Sequence, residues 1–176
     1  MSSIIGALGE DADREGLKDT PRRVARLYAE LFSGIGKDPA AELATGFEED
    51  HHELVVLKDI QFYSICEHHF LPFFGTADVG YVPQGRVVGA SKMARALDVL
   101  ARRPQIQERL MTQLVDVVNK TLQPEGVAVL LSAEHMCMTL RGVKKPGSRV
   151  VTSASRGTLR TQASVKQEFL AMTRGN

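Results

Sequence analysis

The sequence predicts an α+β fold built on an antiparallel sheet. Two observations carry that expectation. Segments with strand-like apolar patterns come in adjacent groups, and helix-period segments lie between and outside those groups. The 176 residues are also enough for one domain with its own core.

The elements follow in order. In "DTPRRVARLYAELFSGIG", Thr20 is the expected helix cap, Pro21 the first helical position and Gly34 the stop. Val24, Leu27, Tyr28, Leu31 and Phe32 recur at helical spacing as the expected buried stripe, with Arg22, Arg23 and Arg26 off it. Residues 36–52 read as a loop, and His51 and His52 in it as solvated side chains. "LVVLKDIQFYSIC" reads as a strand on which Ile60, Phe62, Ser64 and Cys66 share a face. "GTADVGYVP" is a second strand, ended by the turn "PQG". Ser91 is the expected cap of "KMARALDVLARR". Pro104 starts or kinks the next helix, whose stripe is Ile106, Leu110, Leu114, Val117 and Val118, stopped by "PEG". "VAVLLSAEHMCMTLRGV" reads as one long strand or two, "RVVTSAS" as a shorter one, and "SVKQEFLAMTR" as a final helix capped by Ser164.

Composition narrows the function classes. An apolar fraction of 43% with 24% charged residues is that of a globular domain. A net charge of +1 gives no global field for nucleic acid or a membrane surface, so any anion site must be local. No stretch is long and apolar enough for a membrane span, and the start carries no basic leader. Two cysteines do not make a disulfide framework, and a cytoplasmic chain with reduced thiols is expected.

The chemistry-bearing residues cluster. "CEHHF" places Cys66, Glu67, His68 and His69 in a row, and "HMCMTLR" places His135 and Cys137 together. Cys66 and His69 have the x-x spacing that turns two ligands onto one metal ion. On a strand, His135, Cys137, Thr139 and Arg141 would share one face. Cys66, His69 and Cys137 thus make a candidate three-ligand zinc site with a position left for water, and His68 and His135 are spare for proton transfer. The competing account is two small buried thiols and ordinary histidines, because free cysteine is often buried without function. "GASKMAR" sets Ser91, Lys92 and Arg95 at a helix start, where an anion is favoured, although a solvated helix end explains the same residues. Gln107 and Glu108 open the next helix; a carboxylate there suits the paired N–H groups of guanine, or simply the helix dipole.

Together, "REGLKDTPRRVARLY", "CEHHFLPFFGTADVGYVP", "VVGASKMAR", "ARRPQIQERL" and "HMCMTLRGV" resemble the zinc-dependent GTP cyclohydrolase I family, in family order from about Arg14 to the C-terminus. The resemblance implies the tunnelling fold: an antiparallel four-stranded sheet with two helices on one side, preceded by N-terminal helices. It implies one domain over residues 1–176, with a helical part to about residue 50 and the core beyond it. It implies one zinc per subunit on Cys66, His69 and Cys137, with His68 and His135 as acid–base groups and Ser91 serving the later sugar rearrangement. Glu108, with Gln107 beside it, would anchor guanine. Lys92, Arg95 and Arg141 would hold the triphosphate, and Arg23 would reach it from a neighbouring subunit. The implied reaction opens the imidazole ring of GTP, releases formate and rearranges the product to 7,8-dihydroneopterin triphosphate, for folate or tetrahydrobiopterin synthesis. The implied assembly is a toroidal homodecamer with sites between subunits.

The chain departs from the family mainly at its start, where only "MSSIIGAL" precedes "GED". A zinc-binding ring protein without turnover is a weaker reading, because His68 and His135 are both present. A nucleobase deaminase needs H-x-E together with P-C-x-x-C; His51-His52-Glu53 matches the first pattern, but the second is absent.

Overall fold

The computed structural model describes residues 1–174. In chain order the elements are α1 (Ser2–Ala7), α2 (Thr20–Leu31), α3 (Pro39–Leu43), β1 (Gly46–Glu48), β2 (Val55–Cys66), β3 (Pro72–Val82), β4 (Arg86–Val88), α4 (Ala90–Ala101) and β5 (Pro104–Gln105). Then come α5 (Gln107–Leu122), β6 (Gly126–His135), α6 (Met136–Thr139), β7 (Val150–Gly157), α7 (Thr158–Thr161) and α8 (Ala163–Thr173). The main sheet runs β5-β2-β3-β6-β7, and β1 pairs with β4 in a small second sheet. The four long strands β2, β3, β6 and β7 are antiparallel, as expected, and β5 adds a short parallel edge beside Ile65 and Cys66.

Strand alternation decides the faces. Phe62, Phe73, Ala77, Val79, Tyr81, Val127, Val129 and Leu131 point to one face and join Met93, Leu97 and Leu100 of α4 and Leu110, Leu114 and Val118 of α5 in the main core. The opposite face carries a smaller cluster, in which Ala128 and Val82 meet Leu159 and Phe169. Phe169 of α8 lies on Gly80, where an added Cβ would come within 2.5 Å of its ring. Glycine is required there by close approach.

Strand β2 does not alternate throughout. Val55, Leu57 and Ile60 all border the main core, because the register with β3 shifts between Leu57 and Ile60. Asp59 sits in this bulge with φ 55°, and its N–H donates to Asp78 Oδ1 at 2.8 Å. This is why the alternation is clean only from Ile60 onward.

Several local expectations are corrected. Residues 36–52 are not all loop: they hold α3, whose Leu43 is fully buried, and β1. Pro104 starts no helix; it lies in β5, and α5 begins at Gln107. The caps precede the expected residues: Asp19, not Thr20, before α2; Gly89, not Ser91, before α4; Gln162, not Ser164, before α8. The segment after His135 is not strand but the helical turn α6. The apolar stripe of α2 is not buried either, and Leu27 is 51% exposed. The turn after β2 covers part of it: Tyr28 and Phe32 meet Phe70, and Tyr28 Oη donates to the Phe70 carbonyl at 3.2 Å.

The bulge makes a stability prediction. Asp78→Ala leaves the Asp59 N–H without its acceptor and should cost about 1–3 kcal/mol. Asp78→Asn keeps an acceptor and removes the charge. Burial raises the Asp78 pKa, against the opposing hydrogen bond from Asp59. The wild-type carboxyl therefore contributes most below its unfolded pKa of about 3.9, and that contribution is lost as pH rises through the raised folded value. Urea midpoints from about pH 3.5 to 7 should show Asp78→Asn gaining on wild type and then levelling. A difference that stays flat or falls overturns the assignment.

Candidate functional site

The site is built at one end of the sheet, where β2 stops. Cys66 is its last residue and is buried. The chain then reverses: Phe70 N–H donates to the Cys66 carbonyl and Cys66 N–H to the Leu71 carbonyl, both at 2.9 Å. Phe70 takes φ 53° to close the turn. Its outside carries His68 and His69, both exposed. This explains polar residues inside an apolar stretch: the strand ends at Cys66, and the apolar run resumes in β3.

Two anchors hold the turn. Glu67 N–H donates to the Gln105 carbonyl at 3.0 Å. The Glu67 carboxylate accepts from both terminal nitrogens of Arg109, at 2.5 and 2.9 Å. That guanidinium holds the Glu67 carboxyl below the usual carboxylate range. The ion pair ties the turn to the first turn of α5, where Glu108 is exposed beside it.

The second cysteine arrives from β6. Residue His135 pairs across β3 with Phe73, and α6 follows at once. Cys137 lies in α6, and Arg141 follows just beyond its C-cap Leu140. The expected strand face of His135, Cys137, Thr139 and Arg141 is thereby corrected: Cys137 and Arg141 come over the 66–69 turn, while His135 faces Gln107 and Thr139 Oγ1 donates to Met136 Sδ. Burial, and then the neighbouring Cys66 thiol, push the Cys137 thiol up. Arg141 Nη1 donates to His69 Nε2 at 2.8 Å, and His68 Nδ1 lies 3.8 Å from Cys66 Sγ.

No group of three or more His, Cys, Asp or Glu is set up to hold a metal among the described residues. The donor chemistry nonetheless fits one. Two thiols side by side disfavour each other as thiolates, and a soft divalent cation with an imidazole would relieve that.

His135 is half-buried and its ring stacks on Phe73, with centroids 4.7 Å apart and planes 3° from parallel. Its Nε2 is 2.8 Å from Gln107 Oε1. Burial holds its imidazole below the usual range, partly offset by the Glu108 carboxylate. Gln107 itself is 1% exposed.

The remaining candidates lie elsewhere. Ser64 Oγ donates to the Ala101 carbonyl at 2.7 Å, so the C-terminal end of α4 is the end near Cys66. Ser91 and Lys92 therefore stand about 15 Å of helix away. Arg95 lines a cleft of about 260 Å³ with Ser33, Lys37, Glu42 and Asp98. Arg23 is exposed on α2. One chain thus gathers Cys66, His68, His69, Gln107, Glu108, His135, Cys137 and Arg141, and leaves Ser91, Lys92, Arg95 and Arg23 apart.

Glu67, Arg109 and Phe73 were not singled out by sequence reasoning. The available signal was opposite charge: Glu67 lies inside the "CEHH" run and Arg109 directly follows Glu108. Nothing in the pattern marks Phe73 as the platform for His135.

Known proteins resemble this chain over nearly its whole length. The family model described as GTP cyclohydrolase I matches residues 1–174. The GTP cyclohydrolase 1 of Dehalococcoides mccartyi is 56% identical over 174 residues, covering 98% of this chain and 92% of that protein. The GTP cyclohydrolase 1 of Halalkalibacterium halodurans is 56% identical over 173 residues, with the same coverage. That of Bacillus pumilus is 53% identical and covers all of this chain and 94% of its own. Among solved structures, the apo archaeosine synthase QueF-Like is a remote match, 22% identical with a TM-score of 0.45 over 59% of this chain and 93% of that one. With a family match over nearly its whole length and relatives above half identity, the chain belongs to the GTP cyclohydrolase I family.

Proposed function

We propose that this chain opens the imidazole ring of GTP, releases formate and yields 7,8-dihydroneopterin triphosphate, as one domain over residues 1–176. The observation that carries the reading is the meeting of Cys66 and Cys137 beside His68, His135 and Glu108 in a chain of this family. Cys66, His69 and Cys137 would hold one zinc ion per subunit. Bound there, zinc supplies a Lewis acid that brings the pKa of a water toward ~7.

The protein groups do the rest. Glu108, exposed on the first turn of α5, accepts the paired N–H groups of guanine and sets the ring against the thiol pair. His68 stands outside the ligand set and protonates the imidazole ring nitrogen as the ring opens. His135, on its Phe73 platform, serves as the second acid–base group. Arg141 binds phosphate oxygens bidentately, and Lys92 and Arg95 add charge. Ser91 serves the sugar rearrangement. The product belongs to folate or tetrahydrobiopterin synthesis in the cytoplasm.

The site is completed by other copies, in a toroidal homodecamer. Two features support this. Ser91 and Lys92 lie about 15 Å of helix from the thiol end of α4 and Arg95 lines a separate cleft, whereas Arg141 stands on His69, so one chain does not bring the phosphate-binding candidates together. A groove of about 490 Å³ between α2 and the β2 turn is lined by apolar Leu27, Leu31, Tyr63, Phe70 and Pro72. Leu27, Tyr63 and Phe70 in it are exposed, as an uncovered interface requires. No described helix is long and apolar enough to cross a membrane.

The direct test is to incubate zinc-loaded protein with GTP and assay formate together with a fluorescent pterin after oxidation. Absence of both, in folded and metal-loaded protein, overturns the reading. Metal analysis should find about one zinc per chain, lost in Cys66→Ser and Cys137→Ser. His68→Ala should keep zinc and lose turnover on the order of 100-fold or more. If His68→Ala strips the metal while His69→Ala retains it, the two adjacent histidines exchange roles.

Shared sites make a separate prediction. Arg23→Ala should raise KM for GTP and matter far less for guanosine analogues without phosphates. Mixed and reassembled Arg23→Ala and Glu108→Ala chains should recover some activity, because some sites receive both wild-type residues. Mixed assemblies that form without recovery make Arg23 a solvated helix residue.

A further inference from the structure

Gln107 is buried at the first position of α5, and its amide is bonded on both sides. The amide nitrogen faces three oxygens: the Val150 carbonyl at 2.9 Å, Thr152 Oγ1 at 3.1 Å and the Leu131 carbonyl at 3.3 Å. Two of these are backbone carbonyls, which only accept. Turning the amide over would press its oxygen against both, so the surroundings fix which end is nitrogen. The oxygen is thereby left facing His135 Nε2 at 2.8 Å. An amide oxygen also only accepts, so the hydrogen of this bond must sit on the imidazole. Phe73 stacks flat on the ring and fixes its plane.

We propose that Gln107 is a positioning residue that holds His135 as its Nε2–H tautomer, leaving Nδ1 as the nitrogen that exchanges a proton with the substrate. The second half of this inference rests on the reading of the chain as a GTP-hydrolysing enzyme; the first half does not. At Nδ1 the ring lone pair takes up a proton, and the imidazolium returns it from the same atom, while the bond from Nε2 to Gln107 persists through both states. Gln107 thus leaves the set of guanine contacts. Its amide nitrogen is taken up by three oxygens and its side chain is buried, so it has no free N–H to offer a base edge. The order of residues then has a division of labour: Gln107 faces inward and orients the histidine, and Glu108 faces outward to the ligand.

The test has a spectroscopic arm and a kinetic arm. In protein labelled with 15N-histidine and loaded with zinc, ring nitrogen shifts are recorded without substrate at about pH 8, where an ordinary imidazole is neutral. His135, assigned by comparison with His135→Ala, should show a protonated Nε2 and a bare Nδ1. Gln107→Met, which has no acceptor, should lose this preference. In the kinetic arm, Gln107→Met should lower kcat about 10-fold or more with KM for GTP nearly unchanged. A protonated Nδ1 in the wild-type protein overturns the proposal, and that measurement stands even if the variants do not fold. A Gln107→Met variant that raises KM and leaves kcat intact returns Gln107 to substrate binding. Wild-type protein that releases no formate from GTP sinks the enzymatic reading alone, since the tautomer is measured without turnover.

Discussion

The placement of β3 between β2 and β6 is the constraint on which the rest depends. Its register sets Phe73 opposite both Ser64 and His135, so the end of β2 and the end of β6 are forced to the same edge of the sheet. Everything chemical follows from that edge. The turn after Cys66 and the helical turn after His135 leave from neighbouring points, and their two thiols meet without any local sequence contact between residues 66 and 137. The ladder that fixes this is long and its core face nearly dry, and a one-residue slip would turn every core side chain outward.

Helix α5 adds the second layer of order. Its start is held by Gln105 in β5, by the Glu67–Arg109 pair and by the amide of Gln107 reaching Leu131, Val150 and Thr152. These contacts join β2, β6 and β7 to one helix terminus. Exposed ion pairs contribute little stability individually. The value of Glu67–Arg109 is geometric: a bidentate pair fixes the tilt of the turn that carries His68 and His69. Buried, fully bonded amides such as Gln107 specify one arrangement more strongly, because any other leaves polar atoms unsatisfied.

The rim of the chain is built differently. Helix α2 has the spacing of an amphipathic helix yet buries no residue completely, and Tyr28 and the capping Phe32 stack on each other and meet Phe70 on the site's own turn. An apolar stripe that the chain does not cover links the rim to the site mechanically: whatever packs on α2 also presses on Phe70 and the turn behind it. This is the physical reason assembly and chemistry are coupled in the function proposed for the chain.

The sequence by itself determined the grouping of strands and the antiparallel sheet, which are carried by periodicity of two or 3.6. The resemblance of its motifs to the family added the four-stranded core with two covering helices. The rare residue types placed close together marked the candidate site residues. The sequence did not determine that α2 would stay uncovered, because the same spacing describes a stripe facing a core or a neighbour. It misjudged the residues after His135 for a related reason. "MCMTLRG" alternates as well as any strand, but β7 returns to pair with β6 only as far as Ala133, and beyond the last ladder bond the backbone satisfies itself by turning into a helix. Tertiary structure alone decided the bulge at Asp59, the Phe73 platform and the inward turn of Gln107. Each depends on which donor or ring lies across the sheet, and that is set by pairing between residues tens of positions apart.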